Sequence, residues 1–218
     1  MSLPALTLLE TRVLGVLVEK QRTVPDTYPL TLNALVAGCT QKTSRDPVIE
    51  ATEGQVQEAI DHLRTQSLVV ETSGGRVMRY SQNVARVLAL PTESVALLAT
   101  LMLRGPQTPA EIRQNAERLH RFADVSSVEA YLGELSARRD GALVVELSRA
   151  PGARETRWMH LLSGEPAIDR VHASPVGEDG LRGADLATLR REIDTVRTEV
   201  AQLRSLLGRV MDELGLSR

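Results

Sequence analysis

Arginine side chains are concentrated around two turns that the sequence predicts. Arg76 and Arg79 flank the first turn, and Arg149, Arg154 and Arg157 surround the second. A guanidinium group presents paired, planar N–H donors that match the oxygen atoms of a phosphate. Both turns are therefore candidate places for contact with nucleic-acid phosphates, and the alternative is that these charges are simply solvated.

A polar segment between two predicted helices, Thr40 to Ala51, adds two more basic side chains. The candidate nucleic-acid-binding residues are then Lys42, Arg45, Arg76, Arg79, Arg149, Arg154 and Arg157. Because the whole chain has a net charge of −2 and a pI near 6.1, any basic surface must be local.

The two helices that precede these turns carry little positive charge. In the first, Glu53, Glu58 and Asp61 outnumber Arg64, and in the second the acidic and basic residues cancel. An acidic helix repels phosphate, so these helices do not favour insertion into a DNA groove. This pattern favours a protein-docking role instead.

Groupings typical of catalysis or metal binding are not evident in the sequence. The four histidines have no Cys, Asp or His at ligand spacing, and Cys39 shares an apolar helical stripe with Leu32, Leu35 and Val36. We expect Cys39 to be a buried packing residue. The sequence predicts no enzymatic activity, no cofactor and no metal.

The elements that position these residues follow one plan twice: capped helix, capped helix, then a short hairpin. Capping boxes are predicted at Thr7–Glu10, Thr52–Gln55, Thr108–Glu111 and Ser126–Glu129. The predicted strands are Leu68–Val70 with Val77–Tyr80, and Leu143–Val145 with Thr156–Met159. This is the plan of a winged helix, a helical trio with a two-stranded wing.

The predicted fold is therefore mainly α with small β-hairpins, an α+β protein with two tandem winged-helix domains and a C-terminal coiled-coil helix. The domain boundaries are 1–90 for the first winged-helix domain and 91–164 for the second. A flexible linker rich in Pro and Gly follows at 165–184, and the coiled-coil helix spans 185–216.

The last segment carries an unbroken heptad seam of apolar residues. Its members are Leu186, Leu189, Ile193, Val196, Val200, Leu203, Leu207, Val210 and Leu214. The seam predicts self-association, most simply as a homodimer, and it leaves open a higher oligomer. The alternative is an amphipathic helix that packs on its own domain.

Charges beside the seam indicate the orientation of the paired helices. With Leu186 at position a, acidic residues occupy most g positions and arginines most e positions, as in the pairs Glu192–Arg197 and Glu199–Arg204. A parallel pair places these opposite charges together, whereas an antiparallel homodimer places like charges together. The sequence therefore predicts a parallel coiled coil.

Several blocks of sequence resemble the bacterial YceH-like family. The first half matches at Glu10–Gly15, Glu19-Lys20, Tyr28–Leu35 and Gln41-Lys42, and the second at Leu103–Thr108, Pro151-Gly152, Arg154-Glu155 and Trp158–Leu161. The resemblance covers roughly residues 5–163. It implies tandem winged-helix domains in a bacterial cytoplasmic protein of uncharacterised function, and it implies no catalytic or binding residues. The chain departs from the family at Thr40, where Asn is usual, and at Trp158, where Tyr is usual.

Two functions are consistent with this pattern. The first is a dimeric, non-enzymatic nucleic-acid-binding protein of the transcription-regulator kind, with duplex DNA as its partner. The second is a protein–protein interaction adaptor that uses the winged-helix surfaces and binds no nucleic acid. We expect no membrane association and a cytoplasmic location, because the sequence has no signal peptide and no long apolar run.

Overall fold

The protein is described by a computed structural model over residues 5–73, 75, 77–149 and 155–164. This part of the chain is mixed α/β, with seven α-helices and two small antiparallel hairpins. The predicted linker and coiled coil lie outside the described residues, as do Arg76 and Arg154.

The elements follow one another in two series, which we call the first unit and the second unit. The first unit contains α1 (Leu8–Thr23), a 3-10 turn (Pro25–Thr27), α2 (Leu32–Cys39), α3 (Glu53–Thr65), β1 (Val69–Ser73), β2 (Met78–Gln82) and the short α4 (Val84–Val87). The second unit contains α5 (Thr92–Arg104), α6 (Pro109–Ala116), α7 (Val125–Ser136), β3 (Val144–Leu147) and β4 (Arg157–His160).

Three of the four predicted capping boxes are confirmed. The hydroxyls of Thr7, Thr52 and Thr108 each accept a hydrogen bond from the backbone N–H three residues later, and the backbone N–H of each threonine donates to the side chain of that same residue. The fourth prediction was wrong, because α7 begins at Val125 and its N-cap is Asp124. The Asp124 carboxylate accepts the Ser127 N–H at 2.7 Å, which satisfies this helix end two residues earlier than expected.

Both units repeat the same backbone hydrogen bonds. In the first unit, Leu30 exchanges two bonds with Tyr80 of β2, at 3.0 and 2.8 Å. In the second unit, Gln107 does the same with Trp158 of β4, at 3.1 and 2.8 Å. Each hairpin therefore gains a third, one-residue strand from the segment just before α2 or α6. This pairing holds Leu30 in an extended conformation, and α2 begins two residues later, at Leu32.

The interiors of the two units are continuous, because α1 and α5 pack directly against each other. Gly15 of α1 lies so close to α5 that an added Cβ would stand 2.8 Å from Cγ of Leu103. One buried cluster of Leu, Val and Ile side chains runs through both units. The division into domains at residue 90 stays a prediction.

Cys39 is fully buried at the end of α2, which confirms the prediction that it packs in the core. Among the helices in the described ranges, none is long and apolar enough to cross a membrane.

Candidate functional site

Arg45 is buried inside the loop that joins α2 to α3. Its guanidinium donates to both carboxylate oxygens of Glu19, with the shorter bond at 2.6 Å, and its Nε–H donates to the Gly38 carbonyl at 3.1 Å. The side chain is held by the fold, and its charge is paired with Glu19. Arg45 therefore leaves the set of candidate phosphate contacts, and its role is to fasten the loop.

Arg12 of α1 is a second arginine that binds at the C-terminal end of α2. It is fully buried and donates to the carbonyls of Cys39 and Pro47, at 3.2 and 2.6 Å. The last carbonyls of a helix lack intrahelical partners and carry partial negative charge, so two guanidinium groups at the end of α2 are favourable there. Burial, reinforced by the nearby charge of Arg45, lowers the pKa of Arg12.

Glu19 supplies the counter-charge for this arrangement. Burial alone would raise its pKa, but the hydrogen bond and charge of Arg45, followed by the charge of Lys20, outweigh burial and lower the pKa below its usual value of 4.5. Glu19 is therefore ionised at neutral pH and pairs with Arg45.

The loop fastened in this way reaches the second unit. The Asp46 N–H donates to the Leu103 carbonyl at 2.8 Å, and Nη2 of Arg104 donates to Oγ of Ser44, also at 2.8 Å. The loop thus contacts the C-terminal end of α5, where the backbone turns toward α6.

A polar pocket of about 310 Å³ opens at this contact, and we call it the junction pocket. It is lined by Ser44, Arg45, Asp46, Arg104, Pro106, Gln107, Glu111, Asn115 and Arg157. Of the residues predicted from the sequence, it brings Arg45 and Arg157 together. Arg104 was not predicted from the sequence. It differs from other surface arginines only because the loop between α2 and α3 folds against its helix end.

The second hairpin presents two exposed arginines, Arg149 just after β3 and Arg157 at the start of β4. Neither forms an ion pair with a carboxylate of the described residues. The nearby Glu146 accepts a bond from the Thr156 hydroxyl at 2.6 Å instead. The two guanidinium groups are therefore placed to contact an external anion.

The first hairpin differs from the second in the side chains that it exposes. Arg79 is half-buried and donates to the Pro29 carbonyl at 2.8 Å, so it helps to hold the segment before α2. Large apolar side chains are exposed instead: Val70 is 44% exposed, Val77 53% and Met78 43%. Among its described residues, which leave out Arg76, this hairpin offers an apolar surface and little charge that is free to bind phosphate.

The exposed faces of the helices before each hairpin are acidic. On α3, Glu53, Glu58 and Asp61 are exposed, while Arg64 pairs with Glu71 at 2.5 Å and with Asp61 at 3.2 Å. On α7, the exposed charged residues are Glu129 and Glu134. Lys42 is exposed in the loop beside the junction pocket.

Two further titratable groups, the Cys39 thiol and the His160 imidazole, are buried. Burial raises the pKa of the Cys39 thiol to about 12, so the thiol is protonated at neutral pH. Burial lowers the pKa of His160 to about 4, so its imidazole is neutral there. The ranges that the structure describes contain no group of three His, Cys, Asp or Glu residues arranged to hold a metal ion.

Comparison with known proteins gives one consistent result. The family model described as "Protein of unknown function, DUF480" matches residues 6–153. A UPF0502 protein of Dechloromonas aromatica is 59% identical over 206 residues, which cover 94% of this chain and 96% of the relative. A UPF0502 protein of Leptothrix cholodnii is 57% identical over 215 residues, covering 97% and 96%. One from Burkholderia thailandensis is 54% identical over 212 residues, covering 97% and 90%.

Proposed function

The chain belongs to the DUF480, or UPF0502, family, as its resemblance to the YceH-like proteins indicated, and we propose that it is a non-enzymatic, dimeric winged-helix protein that binds duplex DNA. The family description carries no activity, so the proposal rests on the residues of this chain.

The repeated order of elements supports the winged-helix assignment. Each unit has a first helix, a one-residue strand, two further helices and a hairpin whose second strand pairs with that single residue. A winged helix has this order, with the hairpin as the wing. The order is a fold-level analogy and by itself gives no function.

The observation that carries the proposal is the exposed pair Arg149 and Arg157 on the second hairpin. Both are unpaired among the described residues, and Arg154 lies between them in the sequence. Arginine donors bind phosphate oxygens bidentately, and such contacts supply most of the affinity of sequence-indifferent DNA binding.

The acidic third helices define the mode of binding. Because α3 and α7 expose carboxylates, they do not insert favourably between phosphate strands, and the hairpin makes the contact instead. Backbone contacts position a protein on DNA but carry no sequence information. We therefore propose binding that varies little with DNA sequence.

The predicted coiled coil would bring two such hairpins to one duplex. Two linked sites bind more tightly than one when both reach the target at once. Light scattering on the full chain and on a chain ending at Gly164 tests this part. We expect a dimer and a smaller species, and a monomeric full chain at tens of micromolar would remove the dimer.

Fluorescence anisotropy with several unrelated duplexes tests DNA binding itself. We expect similar affinities for all of them and a strong decrease with salt. Replacing Arg149, Arg154 and Arg157 with Ala should flatten the slope of log affinity against log salt by about two to three units, at about 0.9 per phosphate contact. An absence of binding by micromolar wild-type protein at low salt would exclude this function.

A second function, that of a protein-interaction adaptor, is favoured by the first hairpin. Its exposed Val70, Val77 and Met78 form the kind of apolar surface that protein partners cover. This function becomes the leading one if the anisotropy experiment detects no duplex binding, since the apolar hairpin and the acidic helices then remain as the exposed functional surfaces.

A further inference from the structure

We propose that the junction pocket binds the phosphate group of a small phosphorylated molecule that also carries hydroxyl or amino groups, such as a nucleotide. The inference concerns a ligand site between the two units and does not depend on DNA binding by the second hairpin.

Arg104 provides the first reason. It is half-buried at the end of α5 and donates to the Ser44 hydroxyl, but within the described ranges it has no ion pair with a carboxylate. Burial, with repulsion from Arg45, lowers the pKa of Arg104. The charge of Glu19 opposes this lowering only in part, and no carboxylate of the described residues forms a direct ion pair with Arg104, so its guanidinium keeps N–H donors for an external anion.

Arg157 provides a second cation on the same pocket. It comes from β4, whereas Arg104 comes from α5, so the two guanidinium groups belong to different elements. Their N–H donors can bind different oxygens of one phosphate. Arg45 lines the pocket too, but Glu19 neutralises its charge.

Polar side chains between the arginines complete the donor set. Nδ2 of Asn115 donates to Oε1 of Gln107 at 2.7 Å, and this bond fixes the amide and leaves its second N–H for a ligand. Ser44 has a φ of +58°, a left-handed conformation that is unfavourable for a non-glycine residue. Strain of this kind is concentrated at binding sites, which agrees with a functional role for this loop.

Two carboxylates define the rest of the ligand. Asp46 and Glu111 also line the pocket, and Oε2 of Glu111 already accepts the Thr108 N–H at 2.8 Å. Carboxylates repel a bare anion but accept hydrogen bonds from hydroxyl or amino groups. A ligand with a phosphate at one end and such donors at the other satisfies both halves of the pocket, and a volume of about 310 Å³ exceeds what phosphate alone needs.

Isothermal titration of the full chain with adenosine monophosphate, inorganic phosphate and adenosine tests the proposal. We expect saturable binding of the monophosphate, weaker binding of phosphate and none of adenosine. Because a charge-assisted hydrogen bond is lost, Arg104→Gln should weaken binding of the monophosphate about tenfold or more. Arg157→Gln should do the same, and as an exposed strand residue it can be changed without loss of the fold.

The matched control is Arg149→Gln, which removes an exposed arginine of the same hairpin that does not line the pocket. It should leave binding of the monophosphate unchanged. Equal affinities in the wild type and both pocket variants would overturn the proposal, as would the absence of saturation at about 10 mM ligand, a concentration well above that of physiologically useful sites.

A competition experiment identifies the source of the phosphate. Arg157 is assigned both to the duplex and to the pocket, so some competition through Arg157 is expected, and Arg104→Gln separates the two sources. If Arg104→Gln weakens binding of the monophosphate but leaves duplex affinity unchanged, the pocket is a small-molecule site as proposed. If Arg104→Gln weakens duplex binding as well, the pocket holds a phosphate of the DNA backbone, and the small-molecule assignment is overturned.

Discussion

The two units share one backbone plan, but the described arginines of their loops and hairpins have different environments. In the first unit, Arg12 and Arg45 lie in the interior and hold the end of α2, and Arg79 supports the segment before it. In the second unit, Arg149 and Arg157 remain exposed and unpaired among the described residues. A repeated scaffold can therefore place one residue type in the interior of one copy and on the surface of the other.

The cause of the difference is the connection between the second and third helices. In the first unit it begins at Thr40 and ends at Thr52, whereas in the second α6 ends at Ala116 and Asp124 already caps α7. The longer connection folds back over α2 and needs interior partners for its polar groups. Arg12 and Arg45 supply them, and the same loop then forms one wall of the junction pocket.

The largest expected effect is the loss of stability when an interior arginine, and not an exposed one, is replaced. Arg45→Ala leaves the half-buried Glu19 carboxylate with Lys20 as its remaining partner, at 3.4 Å. The loss of one member of a buried pair costs about 3–5 kcal/mol in the free energy of unfolding, and we expect a value toward the lower end of this range. Urea denaturation followed by circular dichroism measures this change.

Arg149→Ala is the control in the second unit. Since this side chain is exposed and has no ion pair within the described ranges, its loss should change stability by no more than about 0.5 kcal/mol. Similar losses for the two variants would contradict the division between structural and binding arginines.

The next largest effects are expected from glycine substitutions, which test the contact between the two units. Gly15→Ala places a Cβ 2.8 Å from Leu103, and such overpacking should destabilise the protein by about 1–3 kcal/mol. In the second unit, a Cβ on Gly133 of α7 meets no atom within 4 Å. Gly133→Ala should therefore stabilise the protein by up to about 1 kcal/mol, through helix propensity. Thermal denaturation of both variants decides whether α1 and α5 are as tightly packed as described.

Converting the first hairpin into a copy of the second should transfer binding. Val70 and Val77 are exposed, so Val70→Arg with Val77→Arg adds two cations at little expected cost to the core. We expect tighter duplex binding and a salt slope steeper by up to about two units. The change of both residues to Gln is the uncharged control, and an equal effect of Gln and Arg would show that charge is not the cause.

The smallest expected effect is the pH dependence of the Glu19–Arg45 pair. The pKa of Glu19 is lowered in the folded protein, so its contribution to stability is complete above the usual value near 4.5 and is lost as pH falls through the lowered folded value. The stability difference between the wild type and Glu19→Gln should therefore shrink on acidification from neutral pH to about pH 3, a range that spans the usual titration of Glu. A difference that grows on acidification would contradict the lowered pKa.

The features that could be predicted from the sequence are the local ones. The Thr7, Thr52 and Thr108 caps depend on residues three apart, and the burial of Cys39 follows from a helical stripe. The cap of α7 was misplaced because Ser126 and Asp124 both have suitable side chains, and only the backbone path selects between them.

The interior role of Arg45 depends on Glu19, which lies 26 residues away. The position of Arg104 in the junction pocket likewise depends on a loop 60 residues earlier in the chain. Neither relation has a signature in local spacing, because both arise only when α1, α5 and the loop pack together. For this reason basic residues could be identified from the sequence, but the arginines of the interior could not be distinguished from those on the surface.

The central claim, that the second hairpin contacts duplex DNA, is tested most directly by two charge-matched variants in one anisotropy experiment. Arg149→Ala with Arg157→Ala removes two exposed arginines from the second hairpin, and Arg22→Ala with Arg86→Ala removes two exposed arginines from the first unit. We predict that the first variant flattens the slope of log affinity against log salt by about two units and that the second leaves it near the wild-type value. Equal slopes for the two variants would contradict the claim, since binding would then depend on overall charge and not on the hairpin.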